Sequence, residues 1–290
     1  MAAFDWYQAT VRHRADDLLE AVLLGSGSAC SLEHTTGRQG YGTTTRVVDS
    51  AGLVAQVLHG GSHPYPHVIF TSDRAQPGAE MLRASFPDHL PSRLDAREDF
   101  GDEGAFDRML PLLLSAAERH RLKVDTRGDH LLRQEARTVY LGAPSSAVRL
   151  RQYDKAAELR AKYAADPVRL AEVPENLTRL EAQVRPQTHE ARVLFSTIEP
   201  VAVMGSSAWL RDVWQAVAGL GLDPVQVGKP FRQSDDDRAY SYLLAQYGGL
   251  LKRVQADLGS WACVGEQIGH DLAEREKAEA ADRRKGKPRR

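Results

Sequence analysis

Apolar residues from Phe4 to Leu24 recur at helical spacing, with Val11, Leu18, Leu19, Val22 and Leu23 on one stripe, and stop at Gly25-Ser26-Gly27. That spacing predicts an N-terminal helix. Strand signals follow. Thr43 to Val48 and Leu53 to Leu58 flank Asp49-Ser50-Ala51-Gly52 as a hairpin, and His67 to Thr71 is a short strand entered through Pro64 and Pro66. Pro77 to Ser85 reads as a helix with proline at its start. Arg93 to Phe100 reads as a strand and Ala105 to Arg121 as a helix that must accommodate Pro111. Arg137 to Leu141 and Val148 to Lys155 form a second hairpin around Gly142 to Ser146, followed by a helix from Ala156 to Ala164 and a strand from Arg179 to Arg185. The remainder is helical in pattern: Thr188 to Ile198, Ser206 to Leu220 and Asp235 to Leu258, the last interrupted by Gly248-Gly249. Strands and helices first and helices last predict an α+β fold, an antiparallel-rich curved sheet with helices over one face and the other face open. The expected divisions are a sheet domain over 1–200, a helical part over 201–272 and a disordered basic tail over 273–290, which ends Arg283-Arg284-Lys285-Gly286-Lys287-Pro288-Arg289-Arg290.

Three strands carry chemistry on alternate residues. Side chains two apart share a strand face. Arg93, Asp95, Arg97 and Asp99 lie on one face of their strand, with Leu94, Ala96 and Phe100 opposite and Glu98 the misfit. Arg149, Arg151, Tyr153 and Lys155 share a face, as do Arg179, Glu181, Gln183 and Arg185. If the three strands join one sheet, its open face holds guanidinium forks suited to phosphate and carboxylates suited to a hard divalent cation. The same alternation also suits a solvated face with cross-strand ion pairs. Of the histidines near strands, His67 shares a face with Ile69 and Thr71 and is retained as a candidate ligand. Asp235-Asp236-Asp237 reads as a helix N-terminus, where carboxylates meet the positive end of the dipole.

Composition narrows the classes. No apolar run approaches membrane-span length, and the opening Met1-Ala2-Ala3-Phe4 lacks the pattern of a secretory leader. The two cysteines, Cys30 and Cys263, have neither the number nor the spacing for a disulfide framework or a zinc site, so a cytoplasmic location is expected. No phosphate-cradling Gly-x-x-x-x-Gly-Lys loop is present, so helicase or ATPase activity is not expected. The net charge of −1 means that any contact with DNA must come from local basic patches.

Several ordered segments resemble the Rep_trans family of replication initiation factors, the rolling-circle initiators of small Gram-positive plasmids and of some filamentous phages. They are Phe86-Pro87-Asp88-His89-Leu90-Pro91-Ser92-Arg93-Leu94-Asp95 with Asp99-Phe100, Gly104 to Asp107, Arg137 to Gly142 with Ser145, Arg149 to Lys155, Arg179 to Pro186, and Gly205 to Trp209. The resemblance implies a sheet-based nicking domain related in plan to the His-hydrophobic-His nucleases. It implies Tyr153 as a nucleophile that becomes covalently joined to DNA as a 5′-phosphotyrosine, and Asp95 and Glu181 as ligands of a divalent metal, Mg²⁺ or Mn²⁺, with Asp99 and His67 as further ligand candidates. Arg151 and Lys155 are expected to favour the phenolate. Arg93, Arg149, Arg179 and Arg185 are expected to hold phosphates. Expected partners are origin DNA, single-stranded or as a hairpin, a second copy of the chain, and a host helicase and polymerase; no membrane is expected. The chain departs from the family at Gly142-Ala143-Pro144-Ser145, where an arginine is usual before the serine, and it has no His-hydrophobic-His triplet. Two other functions fit the same residues: a sheet face that binds DNA without cutting it, and a metal-dependent phosphohydrolase using water.

Overall fold

The computed structural model describes residues 2–132, 135–219, 221–228 and 235–284. Contacts divide the chain into a unit over 1–230 and a second over 231–290. The first contains a ten-stranded antiparallel sheet. Its strands are β1 (Ala3–Thr10), β2 (Ser31–Thr36), β3 (Thr43–Asp49), β4 (Gly52–His59), β5 (His67–Thr71), β6 (Leu90–Phe100), β7 (Val124–Arg127), β8 (Thr138–Leu141), β9 (Val148–Asp154) and β10 (Thr178–Val184). They lie in the order β2-β3-β4-β5-β1-β6-β10-β9-β8-β7.

One face of this sheet is apolar and carries the core. Val57, Val68, Tyr7, Leu94, Ala96, Ala182, Leu150 and Val139 project from successive strands into a single buried cluster. Helices α1 (Ala15–Ser26), α2 (Ala75–Ser85), α3 (Ala105–Arg119), α6 (His189–Ser196) and α7 (Ala208–Ala218) cover it, contributing Leu18, Leu82, Leu113, Phe195 and Trp214 among others. Pro111 sits inside α3 without ending it. Gln152, a polar residue on this inner face, donates from its amide nitrogen to the Phe106 carbonyl at 2.7 Å, while its Oε1 has no hydrogen-bond partner. Short helices α4 (Lys155–Lys162) and α5 (Pro167–Ala171), capped by the carboxylates of Asp154 and Asp166, fill the connection between β9 and β10. The α+β class with one helix-covered face is therefore as expected.

The N-terminal helix expected over Phe4 to Leu24 is not a single helix. Residues 3–10 form β1, which lies between β5 and β6, and α1 begins only at Ala15. Register shifts at Phe4/Trp6 and Gln8/Ala9 break the two-residue alternation, so Phe4, Tyr7 and Ala9 are buried at spacings that imitate a helix. Strands β2 and β7 were also not anticipated; every residue of β2 is exposed, so no apolar alternation marks it. In the second unit α8 (Asp235–Leu258) begins at the acidic triplet and continues through Gly248-Gly249. Helix α9 (Trp261–Arg284) occupies much of the segment expected to be a disordered tail, and residues 285–290 lie outside the described residues.

Near β5, two loops fold back over the outer face. Arg38 donates to Gln56, and Tyr41 stacks on His63 with ring centres 4.3 Å apart and lies 6.3 Å from His67. His67 is buried, bonded to the Thr10 hydroxyl at 3.2 Å, and its pKa falls to about 4, first through burial and then through the nearby cations Arg192, His63 and Arg38.

Two predictions follow from this packing. Helix α2 approaches the sheet so closely at Gly78 that a methyl group there would overlap the Phe70 ring. Gly78→Ala should therefore destabilise the first unit by about 1–3 kcal/mol, read as a lowered midpoint in urea; an unchanged midpoint would contradict the packing. Because His67 titrates lower in the folded than in the unfolded protein, its contribution is complete above pH 6.5 and is lost as pH falls toward 4. The loss is on the order of 3 kcal/mol. His67→Phe should flatten the stability profile across that window, measured by unfolding at successive pH values.

Candidate functional site

The antiparallel register of β6, β10, β9 and β8 brings the three sequence-identified strands together on the outer face in aligned rows. Asp95 pairs with Gln183 and Gln183 with Arg149; Arg97 with Glu181, Glu181 with Arg151, and Arg151 with Tyr140; Asp99 with Arg179, Arg179 with Tyr153, and Tyr153 with Thr138. β1 adds Trp6 beside Asp95 and Gln8 beside Arg93. A slip of one residue in any of these pairings would send the charges into the apolar core.

Ion pairs knit the face. Arg93 grips Asp95 with two bonds of 2.8 and 2.5 Å, and the Gln183 amide lies 3.4 Å from the same carboxylate. Arg151 donates to Glu181 at 2.6 Å. Arg179 forks onto Asp99 at 2.6 and 2.8 Å and reaches Asp5 at 2.6 Å, while Arg97 bonds Asp99 at 2.5 Å. Guanidinium groups also stack on aromatic rings: Arg93 over Trp6 at 4.3 Å, Arg149 over Tyr140 at 4.0 Å and Arg151 over Tyr153 at 4.1 Å. Even so, the buried donors Arg149 Nε and Nη2, Arg151 Nε and Arg97 Nε have no hydrogen-bond partner. Buried donors without acceptors are costly, and phosphate oxygens are of the right kind to fill them.

Asp95 and Glu181 are both buried, on adjacent strands, two residue pairs apart and thus in neighbouring rows of the same face. Burial raises both carboxyl groups. Glu181 reaches about 7, with Arg151 opposing the rise and the charges of Asp95 and Asp5 adding to it. In Asp95 the paired Arg93 only partly offsets burial. Two close carboxylates that repel one another suit a divalent cation, which commonly takes only one or two protein carboxylates and completes its shell with water and phosphate oxygens. Among the described residues no group of three or more His, Cys, Asp and Glu side chains is assembled for a metal, so any ligand set here rests on this pair. Asp99 is committed to Arg179 and Arg97, which hold its carboxyl below the ordinary range against the effect of burial. His67 is on the same face, but it stands level with Thr10 and Leu90, five residues along β6 from Asp95, roughly 17 Å of strand. The structure does not bring it to the pair.

Tyr153 is 4% exposed, and its hydroxyl has no hydrogen-bond partner. Arg151 favours its anion, as expected, and Arg179 does the same, but together they are outweighed. Burial and then the Glu181 carboxylate push the phenol above its ordinary pKa, and the opposing pull of Arg151 and Arg179 is weaker. Lys155 begins α4, pairs with Glu158 at 2.9 Å and stands 5.6 Å from the Tyr153 ring centre. Arg185 lies just past β10 and donates to the Ser146 and Pro144 carbonyls at 3.1 and 3.3 Å, so it braces the turn between β8 and β9.

The face also contains residues that sequence reasoning missed. Asp5 and Trp6 were hidden by the helical reading of the N-terminus. Tyr140, on the partner strand of the second hairpin, is the tyrosine to test next should Tyr153 not be the nucleophile; it is the register partner of Arg151 and carries the Arg149 guanidinium over its ring.

The chain matches no protein-family model and no curated protein. Among solved structures it is similar to a rolling-circle replication initiator protein from Geobacillus stearothermophilus, with 15% sequence identity, a TM-score of 0.48, and coverage of 79% of this chain and 99% of that one.

Proposed function

We propose that the outer face binds single-stranded or extruded DNA and that Tyr153 attacks a phosphodiester in it, making this protein a metal-dependent rolling-circle initiator of the Rep_trans kind. The observation that carries the reading is the Tyr153 hydroxyl: buried, without a partner, and set among guanidinium donors that also lack acceptors. An unpaired buried hydroxyl costs about 1–3 kcal/mol, a cost that packing alone gives no reason to retain.

In the proposed reaction a phosphate enters the cavity of about 200 Å³ bordered by Arg93, Arg149, Arg151 and Glu181. Arg149 and Arg151 supply their unsatisfied N–H groups to its oxygens. Arg151 turns from the Tyr153 ring toward the phosphate, which uncovers the hydroxyl. The Tyr153 oxygen bonds to phosphorus as the bond from phosphorus to the 3′ oxygen breaks. The phenol gives up its proton and the 3′ oxygen gains one, leaving a 5′-phosphotyrosine and a free 3′-hydroxyl. The stored ester lets the strand be rejoined without ATP. Asp95 and Glu181 would hold Mg²⁺ or Mn²⁺, which supplies Lewis-acid stabilisation of phosphoryl oxygen when bound.

One observation favours a second reading, a face that binds DNA without cutting it: the phenol of Tyr153 is held neutral rather than activated. An SDS-resistant protein–DNA adduct with a labelled origin hairpin and Mn²⁺ separates the two.

Tyr153→Phe should abolish that adduct while leaving DNA affinity unchanged. It should also raise the melting temperature, because an unsatisfied hydroxyl is removed from a buried site. An adduct formed by the Phe variant would dismiss Tyr153 as nucleophile. For the carboxylates, Mn²⁺ titration calorimetry should show weaker binding in Asp95→Asn and in Glu181→Gln. In the protein with both carboxylates, affinity should fall as pH drops below about 7, because Glu181 must lose its proton to bind a cation. Without metal the sign reverses: the raised Glu181 pKa stabilises the fold fully below its ordinary 4.5, and that stability is lost as pH rises through 7. Equal Mn²⁺ affinity in all three proteins would remove both residues from the ligand set.

A further inference from the structure

The β9–β10 connection is longer than the hairpin needs. Helices α4 and α5 rise from the end of β9 beside Tyr153 and enclose, against the sheet, a cavity of about 420 Å³. That is within the range of cavities that take small molecules, ~300–1,000 Å³. Its walls from the excursion include Lys155, Lys162, Tyr163 and Arg169, and from the sheet Arg97 and Arg179. Leu159, Val173 and Pro174 supply apolar surface. The Tyr163 ring is half-buried, with Lys162 Nζ 5.2 Å and the Arg169 guanidinium carbon 5.6 Å from its centre.

Two links tie this cavity to the candidate nucleophile. Lys155 lines it and stands 5.6 Å from the Tyr153 ring, and Arg179 lines it and is the cross-strand partner of Tyr153. The smaller cavity at Arg149 and Arg151 lies on the other side of the same tyrosine's row. Tyr153 is thus flanked by two cation-lined hollows, as a strand crossing the face would require. The larger one is lined by five cationic side chains, Arg97, Lys155, Lys162, Arg169 and Arg179, against three acidic ones, Asp5, Asp73 and Glu172, of which Asp5 is engaged by Arg179.

Resting on the reading of this face as a DNA-binding one, we infer that the α4–α5 cavity holds one unpaired nucleotide next to the phosphate at Tyr153. Its base stacks on Tyr163, and its own phosphate lies among Lys155, Lys162 and Arg169. An aromatic ring beside cations is the arrangement that grips single strands without reading their sequence. The apolar residues give the sugar and base edge a dry contact.

The test uses the full chain in EDTA, so that no strand is cut, and fluorescence anisotropy with two labelled 12-mers, oligo(dT) and a fully abasic strand. Tyr163→Ala should lose roughly five- to one-hundred-fold in affinity for oligo(dT) and little for the abasic strand, while Tyr163→Phe keeps both affinities. Lys162→Ala should weaken both strands alike and lower the salt slope. The unsubstituted protein gives an independent reading: photocrosslinking to an oligonucleotide of 5-iododeoxyuridine should label residues 155–177. If it binds oligo(dT) but Tyr163→Ala binds equally well, or if crosslinks fall only outside that segment, the nucleotide subsite is overturned and the wider DNA-binding reading stands. If it binds neither strand, the DNA-binding reading itself fails and takes the subsite with it.

Discussion

The structure turns on the burial of charge along β6, β10 and β9. Asp95, Glu181 and Arg179 are each nearly inaccessible, yet all belong to the face opposite the core. A buried charge is tolerable only when paired, and breaking one pair strands the other partner. Each strand supplies what its neighbour lacks: Arg151 of β9 for Glu181 of β10, and Arg179 of β10 for Asp99 of β6. The pairing therefore fixes register from the polar side, as the apolar alternation fixes it from the core side. Both sides agree on one alignment, which is what a unique sheet requires.

The same arrangement answers the objection raised by a net charge of −1. The arginines of this face are not spare cations awaiting any anion. They are held in place by carboxylates and by aromatic rings, with some N–H groups left over. A phosphate that enters meets donors already oriented, so little ordering is needed on binding. Acidic side chains that lower the total charge are part of what orients the donors. Total charge is consequently a poor guide to what such a face can hold, and local geometry a better one.

Much of this was legible in the sequence because strands β6, β9 and β10 alternate, with Glu98 of β6 a misfit. Two-residue periodicity alone placed Arg93, Asp95, Arg149, Arg151, Tyr153, Arg179 and Glu181 on one side, and the pairing register then brought them into contact. What stayed hidden has physical causes. The bulges of β1 scramble its alternation, so Asp5 and Trp6 vanished into an apparent helix. Edge strand β2 buries nothing and leaves no apolar trace. Tyr163 fell at the end of the helix expected over Ala156 to Ala164 with nothing to single it out, and it gains meaning only from the sheet residues that line the same cavity.

The electrostatics of Tyr153 set a condition on any chemistry at this face. Burial keeps the phenol protonated, and the largest charge acting in the same direction is the Glu181 carboxylate. An incoming phosphate, itself an anion, would strengthen that effect rather than relieve it. Relief must therefore come from cations or from loss of charge at Glu181. The protein holds both means close by: Arg151 and Arg179 already pull the phenol pKa down, and burial raises the Glu181 carboxyl, so that it gives up its charge more readily than an exposed glutamate. On the proposed reading of Tyr153 as nucleophile, the Asp95–Glu181 pair bears on it through Glu181, the largest charge that keeps the phenol neutral. Whatever neutralises the pair acts on the tyrosine through Glu181, and Arg151, bonded to the one and stacked on the other, joins the two groups physically.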